Sequence, residues 1–204
     1  MYPSRDDREP AVRPPTARRP AVDTYHGVEV PDAYRWLEDG ADPEVVAWIA
    51  AQHAHTRAVP DAWPGREALR RRVTELTTTG SVAYGALQAA GGVLFAIKKH
   101  PPLEQTLLVM LKDADDLGSE RVVVDPNVLD PSGRTSIDWY VPSFDGAKVA
   151  VSLSHAGTES GDVHVFDMIQ GRKLGDVVPR VNGGTAGGSL AWGADGAGFF
   201  YTRY

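Results

Sequence analysis

The chain has 204 residues, 42% of them apolar, which is enough to enclose a core in one or two domains. A formal net charge of −6 without a long basic run argues against nucleic acid or an anionic membrane surface as the main partner. The absence of cysteine removes disulfides, thiolate metal sites and a cysteine nucleophile together, and leaves the redox compartment open.

Residues 1–21 read as a disordered, Pro/Arg-rich lead-in: the first twenty positions hold five of the fifteen prolines together with Arg5, Arg8, Arg13, Arg18 and Arg19. Nothing there suits the apolar core of a signal peptide, and no stretch approaches a membrane span, so cytoplasmic residence is the expectation. Residues 22–79 form an N-terminal helical segment. Asp42 suits an N-cap, Pro43 the first helical position and Glu44 the positive end of the dipole, after which Val45, Trp48, Ile49 and Gln52 recur at helical spacing. A second helix is expected from Pro64 to Leu76, with Leu69, Val73 and Leu76 on one stripe that Arg66, Arg70, Arg71 and Arg72 mostly avoid. Two helices do not make a domain, and the segment before them shows no core of its own, so they need a surface to pack on.

After Gly80 the period falls to two or to short apolar runs. These are Gly92–Ile97, Thr106–Leu111, Arg121–Val124, Lys148–Leu153, Asp162–Phe166 and Gly198–Tyr201, separated by Gly91-Gly92, Pro101-Pro102, Asp145-Gly146, Gln170-Gly171 and Gly183-Gly184. Fifty positions apart, Tyr140-Val-Pro-Ser-Phe-Asp145-Gly146 and Leu190-Ala-Trp192-Gly-Ala-Asp195-Gly196 repeat one pattern, an Asp-Gly turn feeding an apolar strand. Short antiparallel strands with such a repeat indicate a β-propeller, and residues 80–204 hold about two four-stranded blades and the beginning of a third. Incomplete blades leave open faces and edges, which predicts instability or association.

Tyr25-His-Gly-Val-Glu-Val-Pro-Asp32-Ala-Tyr34-Arg35-Trp36-Leu37-Glu38-Asp39 resembles the N-terminal motif of the prolyl oligopeptidase family. Ala33 stands where that family commonly has proline, and Thr24 separates Asp23 from Tyr25. Further similar stretches follow in the family's order: Val124-Asp-Pro-Asn-Val-Leu129, Ser152 to Gly161, Leu174-Gly-Asp-Val-Val-Pro-Arg180, and Trp192 to Tyr204. The resemblance, from about Val22 to the last residue, implies an α/β-hydrolase domain capped by a seven-bladed β-propeller. The fold class expected is therefore mixed: an N-terminal helical segment belonging in space to the hydrolase domain, then the first two to three blades. The implied chemistry is serine-type hydrolysis of short proline-containing peptides, with the propeller as a size filter and no cofactor. The Ser, Asp and His of such enzymes lie late in the sequence, in a C-terminal hydrolase region expected beyond this chain. No catalytic residue can be carried over, and the chain alone is expected to be inactive. A relative cleaving after basic residues shares the fold, and a non-catalytic propeller fragment binding a peptide or partner subunit is the competing reading.

Local candidates yield no site. Gly187-Gly-Ser189-Leu-Ala191 resembles a nucleophile elbow, but a turn and another strand follow where a helix is required. Ser160 lies in a motif of the wrong spacing. His53 and His55 lie about 200° apart on a helix and cannot share a metal, His26 sits in the N-terminal motif, and His155 and His164 lack a carboxylate cluster to complete a site. Asp113, Asp115, Asp116 and Glu120 lack the ligand alternation of a calcium loop. The glycines of 183–188 lack the helix and lysine of a phosphate loop. In the family, the loop ahead of the Trp192-type strand offers an aromatic side chain to the substrate. Here it reads Asn182-Gly-Gly-Thr-Ala-Gly-Gly188, so that role is not transferred. The tryptophans 36, 48, 63, 139 and 192 are read as core fillers. Arg35, Glu38 and Asp39 suit either pairing with the hydrolase body or simple solvation.

Overall fold

A computed structural model describes residues 12–183 and 187–203. The chain divides into two compact units, one ending at Val73 and the other beginning at Thr74.

In the first unit, the expected lead-in is an extended segment from residue 12 to residue 20, and residues 1–11 lie outside the described ones. Prolines leave carbonyls without matching N–H groups, and side chains supply the donors. Gln52 Nε2 donates to Pro14 O (3.0 Å), Trp48 Nε1 to Thr16 Oγ1 (3.1 Å) and Trp36 Nε1 to Ala17 O (2.9 Å). Strands β1 (Ala21–Tyr25) and β2 (Val28–Asp32) then form a hairpin inside the segment expected to be helical. His26 (φ 52°) and Gly27 (φ 83°) are its two-residue loop, the left-handed pair that a tight hairpin demands. Arg35 opens a 3-10 turn, Arg35–Glu38, and its guanidinium bonds Asp23 and Asp32 while lying 3.4 Å from Glu38. Its hydrogen bond from Arg35 holds the Asp23 carboxyl below the usual range. The charged face beside Trp36 is thus first an internal brace across the hairpin.

Helix α1 (Pro43–Asp61) starts where expected, with Asp42 accepting from Glu44 N at 2.7 Å. Val45 is its one buried residue; Ile49 is half exposed. Helix α2 (Arg66–Thr78) buries nothing, and its predicted stripe of Leu69, Val73 and Leu76 is 54%, 50% and 58% exposed.

The second unit contains two four-stranded antiparallel meanders and a hairpin. The first is β3 (Ala83–Ala90), β4 (Val93–Lys99), β5 (Leu107–Leu111) and β6 (Arg121–Val124); the second is β7 (Thr135–Pro142), β8 (Lys148–His155), β9 (Asp162–Asp167) and β10 (Arg172–Val178). Strands β11 (Ser189–Trp192) and β12 (Phe199–Thr202) pair as the third element. This is the expected two blades and the start of another. A one-turn helix α3 (Pro126–Leu129), capped by Asp125 through Asn127 N at 2.8 Å, links the first two blades.

Period two distributes the core between successive blades. Phe95, Leu108 and Val124 of the first blade pack with Tyr140, Val149, Val151 and Phe166 of the second. The other face of the second blade gives Ala150, Val163 and Val165 to a cluster with Val181 and Trp192. Indole and phenol groups bridge the joints: Trp192 Nε1 donates to Val141 O (2.9 Å), and Tyr140 Oη to Phe95 O (3.0 Å) and Ala86 O. The repeated turns share one hydrogen-bond pattern in the backbone and the aspartate. Gly146 N donates to Ser143 O (2.8 Å) and Gly196 N to Gly193 O (3.0 Å), while Asp145 and Asp195 each accept from the amide two residues on at 3.0 Å.

Candidate functional site

The residues weighed in the sequence take structural positions. Ser189 begins a strand and its Oγ lies 2.9 Å from Thr202 Oγ1, with no helix behind it. His26 forms a hairpin loop, and both His53 and His55 lie on α1. His155 and His164 lie on neighbouring strands, but His164 pairs with Val151, four residues from His155, a separation of roughly 13 Å along a strand. Burial lowers the His164 pKa, keeping the imidazole neutral among blade strands. Ser160 falls in the turn between β8 and β9. The acidic cluster disperses: Glu120 pairs with Lys98 Nζ (2.6 Å) and Tyr84 Oη (2.5 Å), whereas Asp113 accepts from Asp115 N in a turn. Among the described residues no group of His, Asp and Glu is placed to hold a metal ion. Residues 184–186 of the glycine-rich loop lie outside the described ones.

One cleft does collect chemistry. It has a volume of about 720 Å³ and opens where the middle of β7 meets the β8–β9 turn and the link from β10 to β11. Its centre is a β-bulge. Ile137 pairs with Leu153 and Trp139 with Ser152, so Asp138 is an extra residue on β7 with no cross-strand partner. Ser152 and Ser154 lie buried on the same face of β8, and buried hydroxyls need acceptors. The bulge turns Asp138 to meet them: Ser152 Oγ donates to its Oδ2 at 2.8 Å and Ser154 Oγ at 2.7 Å. Space for this exists because residue 161 is glycine; a Cβ there would stand 2.1 Å from Ser152 Oγ and 2.3 Å from Asp138 Oδ2. Asp138 remains exposed on the cleft side.

Trp139 lines the same cleft, and its buried indole N–H has no hydrogen-bond partner among the described residues. The wall opposite is fixed by the backbone: Val181 N donates to Gly161 O (2.8 Å), Gly188 N to Asn182 O (2.7 Å), and Asn182 Nδ2 to Glu159 O (2.7 Å). Val141 and Leu190 add apolar surface. The cleft thus sets an oriented carboxylate beside an apolar flank, with the Trp139 N–H buried beneath its surface. Sequence reasoning missed Asp138. The available signal was a lone charge interrupting Ile137-Asp138-Trp139, opposite the polar pair Ser152 and Ser154.

Four-stranded blades repeating side by side, after a hairpin and two helices, define the opening of a β-propeller with an N-terminal helical segment. The chain belongs to the prolyl oligopeptidase family: the family model described as prolyl oligopeptidase, N-terminal beta-propeller domain, matches residues 14–204. It is similar to a prolyl endopeptidase of Elizabethkingia meningoseptica, 26% identical over 191 residues that cover 94% of this chain and 26% of that protein. A dual function macrocyclase-peptidase of Galerina marginata is 26% identical over 215 residues, covering 96% and 29%. Among solved structures, one from work on two prolyl endopeptidases superposes with a TM-score of 0.75 at 35% identity, covering 94% of this chain and 27% of that one. Oligopeptidase B from Leishmania major shares the fold, with a TM-score of 0.72 at 18% identity over 94% of this chain and 29% of that one. The chain spans about a quarter of the length of the curated relatives it matches.

Proposed function

We propose that this chain is the N-terminal region of a serine-type endopeptidase that hydrolyses short proline-containing peptides, with the propeller as a size-selective gate. The observation that carries the reading is the succession of two complete blades and a third hairpin in a chain whose family model spans residues 14–204. A ring of such blades encloses a narrow channel, and a catalyst behind it would receive flexible peptides and exclude folded proteins. A C-terminal α/β-hydrolase region is the partner in this reading. The exposed stripe Leu69, Val73 and Leu76 on α2 supports it, because an amphipathic helix normally buries its apolar face. The reading places the nucleophile, base and oxyanion donors in that region, and the whole protein in the cytoplasm without a cofactor. Among the described residues no helix is long and apolar enough to cross a membrane.

The test uses the 204-residue chain beside the native product that contains it. A chromogenic Gly-Pro substrate should be untouched by the chain and cleaved by the longer product, with loss of activity on treatment with a serine-directed phosphonate. Turnover that tracks the purified chain and vanishes in Ser189→Ala would overturn the division of labour, and a longer product indifferent to proline would overturn the peptidase reading.

A further inference from the structure

We propose that the face formed by Trp36, Trp48, Gln52 and Glu44 is a receptor for a proline-rich segment with an arginine tail. Residues 14–19 fill it in cis as a displaceable strap, and an equivalent segment of another protein takes their place when the strap opens. The inference is independent of the peptidase reading and concerns the first unit alone.

The strap is stiff before it docks. Pro14, Pro15 and Pro20 fix φ, and Arg13, Pro14 and Arg19 are held extended by the proline that follows each. Such a segment loses little conformational entropy on docking, which is why extended proline-rich ligands suit aromatic grooves. The face it meets has that chemistry. The Trp36 and Trp48 rings stand edge to face, 6.4 Å apart at 77°. Gln52 Nε2 donates to Pro14 O and Trp36 Nε1 to Ala17 O, acceptors three residues apart and so one polyproline turn from each other, with Trp48 Nε1 donating to Thr16 Oγ1 between them. Arg19 supplies the polar end: its guanidinium lies 4.6 Å from the Trp36 ring centroid and bonds Glu44. Recognition thus runs through carbonyls and one arginine, features that a basic proline-rich segment of any chain offers. Nothing in the strap is fully buried; Pro14 and Thr16 are half-buried, and Pro15, Ala17, Arg18 and Arg19 are exposed. A segment held in this way opens locally without unfolding the rest.

Two measurements on the 204-residue chain test this. The first follows tryptic cleavage of the Arg18–Arg19 bond by mass spectrometry, since Arg13 and Arg19 precede proline and resist cutting. Cleavage should be slow in the parent, and Gln52→Leu, which removes one donor to the strap, should accelerate it about fivefold, the worth of one net hydrogen bond. The second follows the anisotropy of a fluorescent peptide with the sequence of residues 13–20. The parent should bind it poorly, because the cis strap competes at an effective concentration of about 1 mM. A chain with Pro14→Gly and Pro15→Gly has a looser strap that competes less, and should bind the peptide about fivefold more tightly. Glu44→Gln with Gln52→Leu in that chain should reverse the gain, and a peptide with glycine in place of its prolines should bind more weakly. An Arg18–Arg19 bond cut as fast in the parent as in Gln52→Leu, no tighter binding by the loosened chain, binding unaffected by Glu44→Gln with Gln52→Leu, or equal binding of the glycine peptide would each overturn the inference. So would loss of folded structure in the loosened chain, because the strap would then belong to a core rather than cover a receptor.

Discussion

Gly91 and Asp145 touch so closely that no side chain fits between them. A Cβ on Gly91 would stand 1.9 Å from the Asp145 carbonyl oxygen, Gly91 N donates to Phe144 O at 3.1 Å, and a Cβ on Gly146 would lie 2.8 Å from Ala90 O. The tight turn of one blade therefore seats on the Asp-Gly turn of the next. At the following joint Lys148 Nζ reaches Gly196 O at 2.9 Å. The repeat visible in the sequence is thus also the contact that stacks the blades at one end.

Gly91→Ala should be among the most damaging single changes in the propeller. It places a methyl group against backbone that cannot swing aside, at φ 57°. A loss on the order of 3 kcal/mol is expected from left-handed strain plus displacement of the turn. Gly92→Ala is the control, since at φ 75° it meets nothing within 4 Å and should cost only about 1 kcal/mol. Urea unfolding of both variants checks the difference; similar midpoints would refute the close-approach argument.

Alkaline pH should loosen the joint between the first two blades. Burial pushes the Tyr140 pKa up to about 12, against 10.0 for a free phenol. A raised folded-state pKa means that the unfolded chain releases the proton first, so the stabilisation is complete below pH 10 and lost as pH rises toward about 12. Tyr84, raised by its hydrogen bond to Glu120, contributes in the same direction. Tyr140→Phe should cost about 1 kcal/mol at neutral pH through loss of the phenol hydrogen bond, and should flatten the alkaline decline. Unfolding midpoints across that pH range decide it. A decline of unchanged steepness in the variant would exclude Tyr140 as a source.

The parts of the fold that were legible share a physical basis. Strands β4, β5 and β8 carry apolar runs buried on both faces, and the turns leading into β4 and β8 hold the left-handed glycines Gly91, Gly92 and Gly146. Strand β3 reads Ala-Tyr-Gly-Ala-Leu-Gln-Ala-Ala, without β-branched residues and with a register shift between Gly85 and Gln88, so period and propensity both fall silent there. Strand β10 is polar and shifts between Lys173 and Val177. The β1–β2 hairpin was masked by its motif: the alternation of Val28, Glu29 and Val30 is short, and the loop is His26-Gly27 rather than Asn-Gly. In the cleft, Ser189 drew attention by local pattern alone. Asp138 escaped because its significance depends on Ser152, Ser154 and Gly161, which only the sheet brings together.

The α2 stripe should be dispensable for this chain taken alone. Leu69, Val73 and Leu76 are all at least half exposed, so Leu69→Glu with Val73→Glu removes no fully buried side chain and should change stability by less than about 1 kcal/mol. Solubility should rise, because an exposed apolar patch favours association. Light scattering and thermal unfolding of the double variant provide the check. A large fall in stability would show that these side chains already belong to a core, and would withdraw their support for a docking role.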